Sequence, residues 1–205
     1  MRSGQASADH AATDGRNGRG AFALLRYAHI FASAVRERLE VDLLREANPS
    51  LTMSQFHLLR LIALNGQHQI GEVADFLGVT PPAATKAIDK LEGLGLVKRS
   101  PSPLDRRVTL LSATETSRDL VSRYEVLEKA RLTPVLAGFS AEEVSQFTRL
   151  LERFALGLVA HGESDDGLCL RCSAYFDDHC PVHHITDNCP YQRMIAGKSR
   201  ERAAS

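Results

Sequence analysis

The four cysteines of this 205-residue chain, Cys169, Cys172, Cys180 and Cys189, stand close together near its C-terminal end. Their spacing is C-x2-C-x7-C-x8-C, and proline follows both Cys180 and Cys189. Thiolates bind metals, and a Cys-Pro step turns the backbone away from the ligand sulfur, as in ferredoxin-type sites. In a reducing cytosol such a group is more typical of a metal or redox site than of structural disulfides. The spacing therefore predicts that the four thiolates bind one metal centre.

The identity of the metal depends on the rest of the donor set. Structural zinc sites usually combine two Cys-x2-Cys knuckles, or one such knuckle with a His-x3-His pair. This segment has one knuckle and three irregularly placed histidines, His179, His183 and His184, which we interpret as neighbours of the site rather than ligands. Four cysteines on uneven loops favour a [4Fe-4S] cluster, and structural Zn2+ is the alternative.

Acidic residues dominate the same segment. Residues 163–189 contain six Asp or Glu and one Arg, which gives a formal charge of about −5. We predict that residues 163–205 form an acidic linker, a small four-cysteine metal lobe and a basic tail. Because DNA repels acidic surfaces, we expect the lobe to lie away from any bound duplex.

Positive charge is concentrated in a different stretch. Residues 80–111 carry six basic and three acidic side chains, a net of about +3, in a chain whose 25 basic and 25 acidic residues cancel overall. The basic residues are Lys86, Lys90, Lys98, Arg99, Arg106 and Arg107, and the acidic ones are Asp89, Glu92 and Asp105. Such a cluster indicates a polyanionic partner, and we expect double-stranded DNA.

The start of this basic stretch has the pattern of a short helix. Thr80 is a favourable N-cap, and Pro81 follows where a missing N–H costs nothing. Ala84, Ile88 and Leu91 recur on one helical face and are expected to be buried. The outward face then carries Pro82, Ala83, Thr85, Lys86, Asp89 and Lys90. Small side chains let a helix approach the floor of a DNA groove, while lysines meet the phosphates on its walls.

The elements around this helix complete a recognisable unit. After it, two alternating runs separated by Pro101, Pro103 and Asp105 predict a two-stranded hairpin with a long tip. Before it, Thr52 and Gln55 match a capping box that opens one helix, and residues 70–77 form another. Two short helices joined by a tight turn and followed by a hairpin predict a winged helix-turn-helix over residues 51–113, with the second helix as the reader.

Longer helices flank this unit. Residues 21–47 carry an apolar stripe that ends at Asn48-Pro49, and Thr114 can cap a helix that Pro134 kinks or ends. Ser140 and Glu143 form a second capping box, which opens an amphipathic helix that stops near residue 161. We expect these helices to form a dimerisation domain. A cavity for an aromatic effector is an alternative that no spacing singles out.

Composition limits the remaining possibilities. With 43% hydrophobic residues the chain can bury a core, and we interpret residues 1–20, which lack periodicity, as a disordered tail. No apolar run reaches the roughly 18 residues that span a bilayer, and the N-terminus lacks a signal-peptide core, so we expect a cytoplasmic protein without membrane contact. No P-loop, dinucleotide fingerprint or nucleophile motif is present. We therefore expect a protein that is not an enzyme.

The chain from Leu51 to Leu120 resembles the MarR family of winged-helix transcriptional regulators. The resemblance is carried by the runs LTMSQFHLLRLIA, IGEVADFLGVT, KAIDKLEGLGLVKR and LDRRVTLLSATETSRDL, the last of which contains the Asp-x-Arg wing signature. It covers about a third of the chain, and the flanking helices fit the family's architecture. It implies a homodimer formed through the first and last helices. It also implies a pseudo-palindromic operator, read with one recognition helix per half-site and wing arginines in the minor groove.

The resemblance also implies roles for individual residues. Pro82, Ala83, Thr85 and Lys86 are expected to approach base edges, Lys90 and Lys98 to bind phosphates, and Arg106 to enter the minor groove; Asp105 is expected to orient Arg107. The chain departs from the family pattern in having prolines at both Pro81 and Pro82 and alanines where relatives have Ser or Thr. Fewer donors near the helix start indicate a larger share of shape readout and methyl contacts.

These observations predict a mainly α protein of the α+β winged-helix class, with a dimerisation domain within residues 21–162 and a C-terminal metal lobe. The expected function is that of a dimeric, sequence-specific DNA-binding transcriptional repressor whose operator binding is modulated by a four-cysteine iron-sulfur cluster. One alternative is a regulator that senses an aromatic or thioester effector and carries structural zinc. A redox protein or electron carrier is the alternative from another class.

Overall fold

A computed structural model describes residues 5–64, 66–103 and 105–161 of the chain. The predicted linker, four-cysteine lobe and basic tail, including Cys169, Cys172, Cys180 and Cys189, lie outside the described residues. The chain divides into two units, Met1–Leu43 and Leu44–Ser205. The helices are α1 (Gln5–Ala34), α2 (Asp42–Ala47), α3 (Met53–Leu64), α4 (Ile70–Leu77), α5 (Pro81–Gly93), α6 (Glu115–Leu136) and α7 (Ala141–Ala160), and a π-helical segment occupies Val35–Val41. The strands are β1 (His68–Gln69), β2 (Val97–Pro101) and β3 (Thr109–Ala113).

Helix α1 differs from the expectation for the N-terminus. It begins at Gln5, whereas the sequence analysis placed a disordered tail over residues 1–20 and a helix from Ala21. Alanine is frequent among these residues and has the highest helix propensity. The predicted start at Ala21 depended on an apolar stripe, which a helix favoured by propensity does not need. The end of the helical stretch is where it was expected, because α2 stops at Ala47. Beyond it the amide of Ser50 donates to Asn48 Oδ1 over 2.9 Å.

Helices α3 and α4 confirm the sequence pattern. The capping box is formed, because the Thr52 amide donates to Gln55 Oε1 at 3.0 Å and the Gln55 amide donates to Thr52 Oγ1 at 3.3 Å. Between α4 and α5 the chain turns at Gly78, whose φ of 63° is accessible to glycine at little cost. This turn brings the start of α5 into position as the second helix of a helix-turn-helix.

The sheet has three antiparallel strands in the order β1-β3-β2, one more than predicted. Strands β2 and β3 form the expected hairpin, in which Val97 pairs with Ala113 and Pro101 with Thr109. The additional strand β1 pairs His68 with Leu111. Two residues are too few to show an alternating pattern, so β1 was not visible in the sequence. The prediction of a mainly helical winged-helix fold is confirmed.

Helices α6 and α7 also begin where the sequence placed them. Thr114 Oγ1 accepts the Ser117 amide at 3.3 Å, and Pro134 lies inside α6, two residues before its end at Leu136. The capping box of α7 is formed by Ser140 and Glu143. Hydrogen bonds from the backbone and then the hydroxyl of Ser140 hold the pKa of the Glu143 carboxyl below its ordinary value.

Candidate nucleic-acid interface

Helix α5 has one buried face and one exposed face. Ala84, Ile88 and Leu91 are fully buried, as their spacing predicted. The side chains of Pro82, Ala83, Lys86 and Lys90 are exposed and that of Thr85 is half-buried. The helix is therefore anchored by its apolar face, and the residues predicted to meet DNA lie on the accessible side.

The N-terminus of α5 offers few hydrogen-bond donors. Thr80 occupies the N-cap position with an extended backbone, but its side chain makes no capping hydrogen bond, contrary to the expectation that it would cap the helix. Pro81 and Pro82 occupy the first two helical positions and have no N–H. The hydroxyl of Thr85 donates to the Pro81 carbonyl at 2.9 Å. This helix start therefore presents mainly apolar surface, and shape and methyl readout by it stays a prediction.

The tip of the wing is organised by Asp105. Its Oδ1 accepts the amide of Arg107 at 2.9 Å, and its carbonyl accepts the amide of Val108 at 2.9 Å. The carboxylate thus fixes the backbone of the turn that carries Arg106 and Arg107. The sequence analysis expected Asp105 to orient Arg107, and the contact in the structure is to the backbone of that residue. Both arginine side chains are exposed.

Five of the six cations of the basic stretch, residues 80–111, are exposed. They are Lys86, Lys90, Lys98, Arg106 and Arg107, all exposed, and among the described residues none of them takes part in an ion pair within 4.0 Å. Cations without an intramolecular partner can release counterions when they meet phosphates. Helix α5 and the wing therefore carry five exposed cations with a formal charge of +5, and we call this set the cationic edge.

Arg99, the sixth cation, is engaged differently. Its Nη2 lies 2.5 Å from Asp89 Oδ1, and its Nη1 binds Glu92 Oε2. Arg99 lies on β2 and both carboxylates lie on α5, so the pair of contacts joins the wing to the recognition helix. In the sequence Arg99 counted only as one of six basic residues, and this contact was not predicted. The one signal was the Asp-x-x-Glu spacing, which places two carboxylates on the same helical face.

The base of the wing is held by a second set of contacts. The carbonyl of Leu96 accepts the hydroxyl of Ser117 and the amide of Thr114, the latter at 3.2 Å. The Thr114 hydroxyl also donates to the Gly95 carbonyl at 2.9 Å, where Gly95 has a φ of 70°. These bonds tie the start of β2 to the start of α6. The position of the wing is therefore fixed by both α5 and α6.

A partly buried polar cluster joins α3 to α6. Arg60 on α3 places its Nη2 3.5 Å from Glu125 Oε1, and its guanidinium carbon lies 5.9 Å from the centre of the Tyr124 ring. Burial, and then the charge of Arg60, lowers the pKa of His57 to about 4. Burial raises the pKa of Glu128, against the opposing influence of Arg60. At neutral pH His57 is therefore an uncharged side chain of the interior.

Effector and metal sites are the other functional features that the sequence suggested. A cavity of about 220 Å3 is lined by Asn48, Leu96, Thr116, Asp119, Leu120 and Arg123. The sequence assigned no residues to an effector cavity, and effector binding stays a prediction. Within the described ranges no three His, Cys, Asp or Glu side chains are grouped so that they could hold a metal ion. The cysteines on which the metal prediction depends are outside those ranges. No helix in the described part of the chain is long and apolar enough to cross a bilayer.

Comparison with known proteins agrees with this geometry. The family model described as "MarR family" matches residues 51–109, the segment from the start of α3 to the wing. Over this segment the chain is similar to the MarR family of transcriptional regulators. The predicted resemblance is confirmed, and the coarse function is that of a DNA-binding transcriptional regulator.

The similarity to solved structures covers more of the chain than this segment. The YusO protein from Bacillus subtilis is 25% identical, with a TM-score of 0.54 over 66% of this chain and 96% of that one. RV1404 from Mycobacterium tuberculosis is also 25% identical, with a TM-score of 0.60 over 68% and 94%. FabT from Streptococcus pneumoniae, whose structure was determined in complex with DNA, is similar in fold at 24% identity, with a TM-score of 0.57 over 66% and 94%.

Proposed function

We propose that this MarR-family chain is a homodimeric repressor that reads a pseudo-palindromic DNA operator with α5 and its wing, and whose affinity is modulated by a four-cysteine iron-sulfur cluster. The observation that carries the DNA-binding part is the cationic edge, which combines an exposed recognition helix with an exposed wing. A dimer bound across a promoter excludes RNA polymerase, which is why the proposal includes repression.

The arrangement of the cationic edge supports different tasks for its residues. Lys86 follows the small residues at the start of α5, where the helix can approach base edges closely. Lys90 and Lys98, on α5 and β2, suit contacts with the phosphate backbone. Arg106 stands at the wing tip, on a turn held by Asp105, and a planar guanidinium is well suited to the narrow, negative minor groove.

Substitution of single cations tests this assignment. Lys86→Ala and Arg106→Ala should each weaken binding to a duplex selected from a random library by about tenfold, since hydrogen bonds to charged groups contribute about 1.5 kcal/mol. Each should also lower the salt slope of log K by about one, because one fewer counterion is released. Gel-shift titrations at several salt concentrations measure both quantities.

Lys129→Ala is the matched control, since this lysine is exposed on α6 rather than on the cationic edge. It should change neither the affinity nor the slope. If Lys86→Ala and Arg106→Ala behave like this control, α5 and the wing are not the DNA-binding surface.

Exposed apolar residues support the homodimer. On α7 no residue is buried within the chain, and Phe147 and Leu158 are 54% and 62% exposed. On α1, described by itself, Phe22 is 76% exposed. Exposed large apolar side chains along a helix are typical of a protein interface. Two copies associated through these helices would present two α5 helices, as a pseudo-palindrome requires.

The four-cysteine segment provides the regulatory part of the proposal. Four thiolates, two of them followed by proline, are a donor set that suits a [4Fe-4S] cluster, and Zn2+ suits it as a structural alternative. When bound, such a cluster supplies sensitivity to oxygen, nitric oxide, redox state or iron supply. The segment follows α7 directly in sequence, so an ordered or released lobe can change the dimer geometry. Half-sites are separated by about one helical turn of DNA, so a small change in that geometry weakens binding.

Metal content decides between the proposed cofactors. Full-length protein purified without oxygen should be brown and contain iron and acid-labile sulfide, and Cys180→Ser should lose both. Ser173→Ala, a matched control between the same cysteines, should keep them. Colourless protein that contains stoichiometric zinc would replace the cluster by a structural metal and remove the redox part of the proposal.

A further inference from the structure

We infer that Arg99 is a positioning residue that sets DNA specificity by clamping the wing to the recognition helix. The inference rests on the proposed DNA-binding role of α5 and deepens it. The clamp is defined as Arg99 on β2 together with Asp89 and Glu92 on α5.

The geometry of the clamp is that of a guanidinium fork shared between two carboxylates. One terminal nitrogen lies 2.5 Å from Asp89 Oδ1, and the other binds Glu92 Oε2. Charge-assisted bonds of this kind are stronger and more directional than neutral hydrogen bonds. Because Asp89 and Glu92 are three positions apart on one helical face, a single guanidinium reaches both. Two bonds to one rigid group restrict the angle between β2 and α5 more than one bond does.

The residues on each side of the clamp are anchored in the fold. Arg99 pairs with Leu111 of the central strand β3, and Leu111 is fully buried. On α5, Ile88 and Leu91 are fully buried next to the two acidic residues in sequence. The clamp therefore connects two anchored elements, and a change in it alters the position of the wing rather than only that of a loose side chain.

The clamp also removes Arg99 from the set of DNA-contacting cations. Its side chain is only 24% exposed, whereas Lys98, the next residue along β2, is exposed. Successive residues of a strand point to opposite faces of the sheet, so the two cations are placed on different sides of the wing. Lys98 is free to meet phosphates, whereas the charge of Arg99 offsets part of the negative charge of Asp89 and Glu92, which would otherwise repel phosphates.

The change in DNA binding when Asp89 and Glu92 lose their charges distinguishes a clamp from incidental ion pairs. Replacing Asp89 and Glu92 by their amides removes two negative charges close to the DNA. If electrostatics alone mattered, the double variant Asp89→Asn/Glu92→Gln would bind all DNA more tightly. If the clamp positions the wing, the same variant loses discrimination, because direct and shape readout both require the helix and the wing to fit the duplex together.

The experiment measures the ratio of affinities of the full-length protein for a library-selected duplex and a random duplex. Arg99→Met should lower this ratio by about two- to fivefold for each ion pair lost, the range expected for partly exposed pairs. Asp89→Asn/Glu92→Gln should lower it in the same way, and Arg99→Met added to that background should lower it little further. Arg99→Lys, which keeps the charge but not the fork, should give an intermediate ratio.

Lys98→Met is the matched control, with the same strand and the same loss of charge. It should weaken binding to both duplexes equally, lower the salt slope by about one and leave the ratio unchanged. Circular dichroism and thermal unfolding establish that each variant is folded. Arg99→Lys serves as the test variant if Arg99→Met does not fold.

Three results would overturn the inference. The first is an unchanged ratio in Arg99→Met, and the second is tighter binding of Asp89→Asn/Glu92→Gln to both duplexes alike. The third is an equal loss on both duplexes with a lower salt slope in Arg99→Met, which would make Arg99 a phosphate contact. Failure of the proposed function looks different, because Lys98→Met and Lys86→Ala would then also leave DNA binding unchanged.

Discussion

Helices α5 and α7 are both amphipathic in sequence, but they use their apolar faces differently. Helix α5 buries Ala84, Ile88 and Leu91 completely within its own unit. Helix α7 has no buried residue and exposes Phe147, Leu150 and Leu158. The winged helix thus satisfies its hydrophobic surface within one chain, whereas α7 retains apolar surface that a second copy can cover.

The same comparison applies to charge. The cations of α5 and its wing are mostly exposed, and the two carboxylates of α5 near them are both paired with Arg99. On α7 the acidic residues are concentrated in the first turn, where Glu143 completes a capping box. One helix therefore presents positive charge outward, and the other presents apolar surface. We infer a division of labour between DNA contact and dimer contact.

The largest effect is expected from a charge placed on the apolar face of α7. Leu150→Glu should weaken dimerisation by about 4 kcal/mol, roughly a thousandfold. In each copy, the lost burial of the leucine and the cost of desolvating the glutamate together contribute about 2 kcal/mol. Analytical ultracentrifugation over a range of concentrations measures this change. Ser145→Glu, on the opposite face of the helix, is the matched control and should remain dimeric. An unchanged dimer in Leu150→Glu would remove α7 from the interface.

Truncation of the buried face of α5 comes next. Ile88→Ala should reduce the free energy of unfolding by about 3 kcal/mol, because it removes buried methyl groups and leaves a cavity. Leu94→Ala, in a residue that is 42% exposed just beyond the same helix, should cost less than about 1 kcal/mol. Urea unfolding followed by circular dichroism compares the two. Equal losses would show that the contrast in burial has no energetic consequence.

The pH dependence of stability tests how well water is excluded between α3 and α6. The pKa of His57 is lowered from 6.5 to about 4, so the unfolded chain binds the additional proton between these values and stability rises with pH across that window. The contribution of His57 to the free energy of unfolding is about 3 kcal/mol at most for this shift. It is fully present above pH 6.5 and is lost as the pH falls towards 4.

Urea unfolding between pH 4 and 7 measures this dependence, and His57→Phe should flatten it. Glu128, whose raised pKa gives a slope of opposite sign, is the same in both proteins, so the difference between them isolates His57. A profile that His57→Phe does not alter would show that water reaches this side chain.

Local patterns in the sequence were sufficient for most of the fold. The capping boxes at Thr52 and Ser140, the glycine at Gly78 and the apolar spacing of α5 each involve residues within a few positions of one another. Contacts over such short distances leave a readable signature in the chain. The exposed position of Lys86 followed from the same patterns, since burying one face of a helix exposes the other, whereas the role of Arg106 was implied by the family resemblance.

The errors and omissions involve longer distances or missing periodicity. Strand β1 is defined only by its pairing with β3, more than 40 residues away in sequence. The expected side-chain cap of Thr80 is absent, although the residue type and position are right. Residues 5–20 have no apolar stripe, so the helix over them had no signal on which a prediction could be based.

The sequence alone determined the order of the elements, the winged-helix class and the concentration of positive charge between residues 80 and 111, because these properties depend on neighbours along the chain. Only the tertiary structure decided that Arg99 belongs to a clamp while five other cations remain exposed, and that α5 is covered while α7 is not. Those outcomes depend on which surfaces meet after folding. Residue type and spacing do not specify the partner of a side chain when that partner lies on another element.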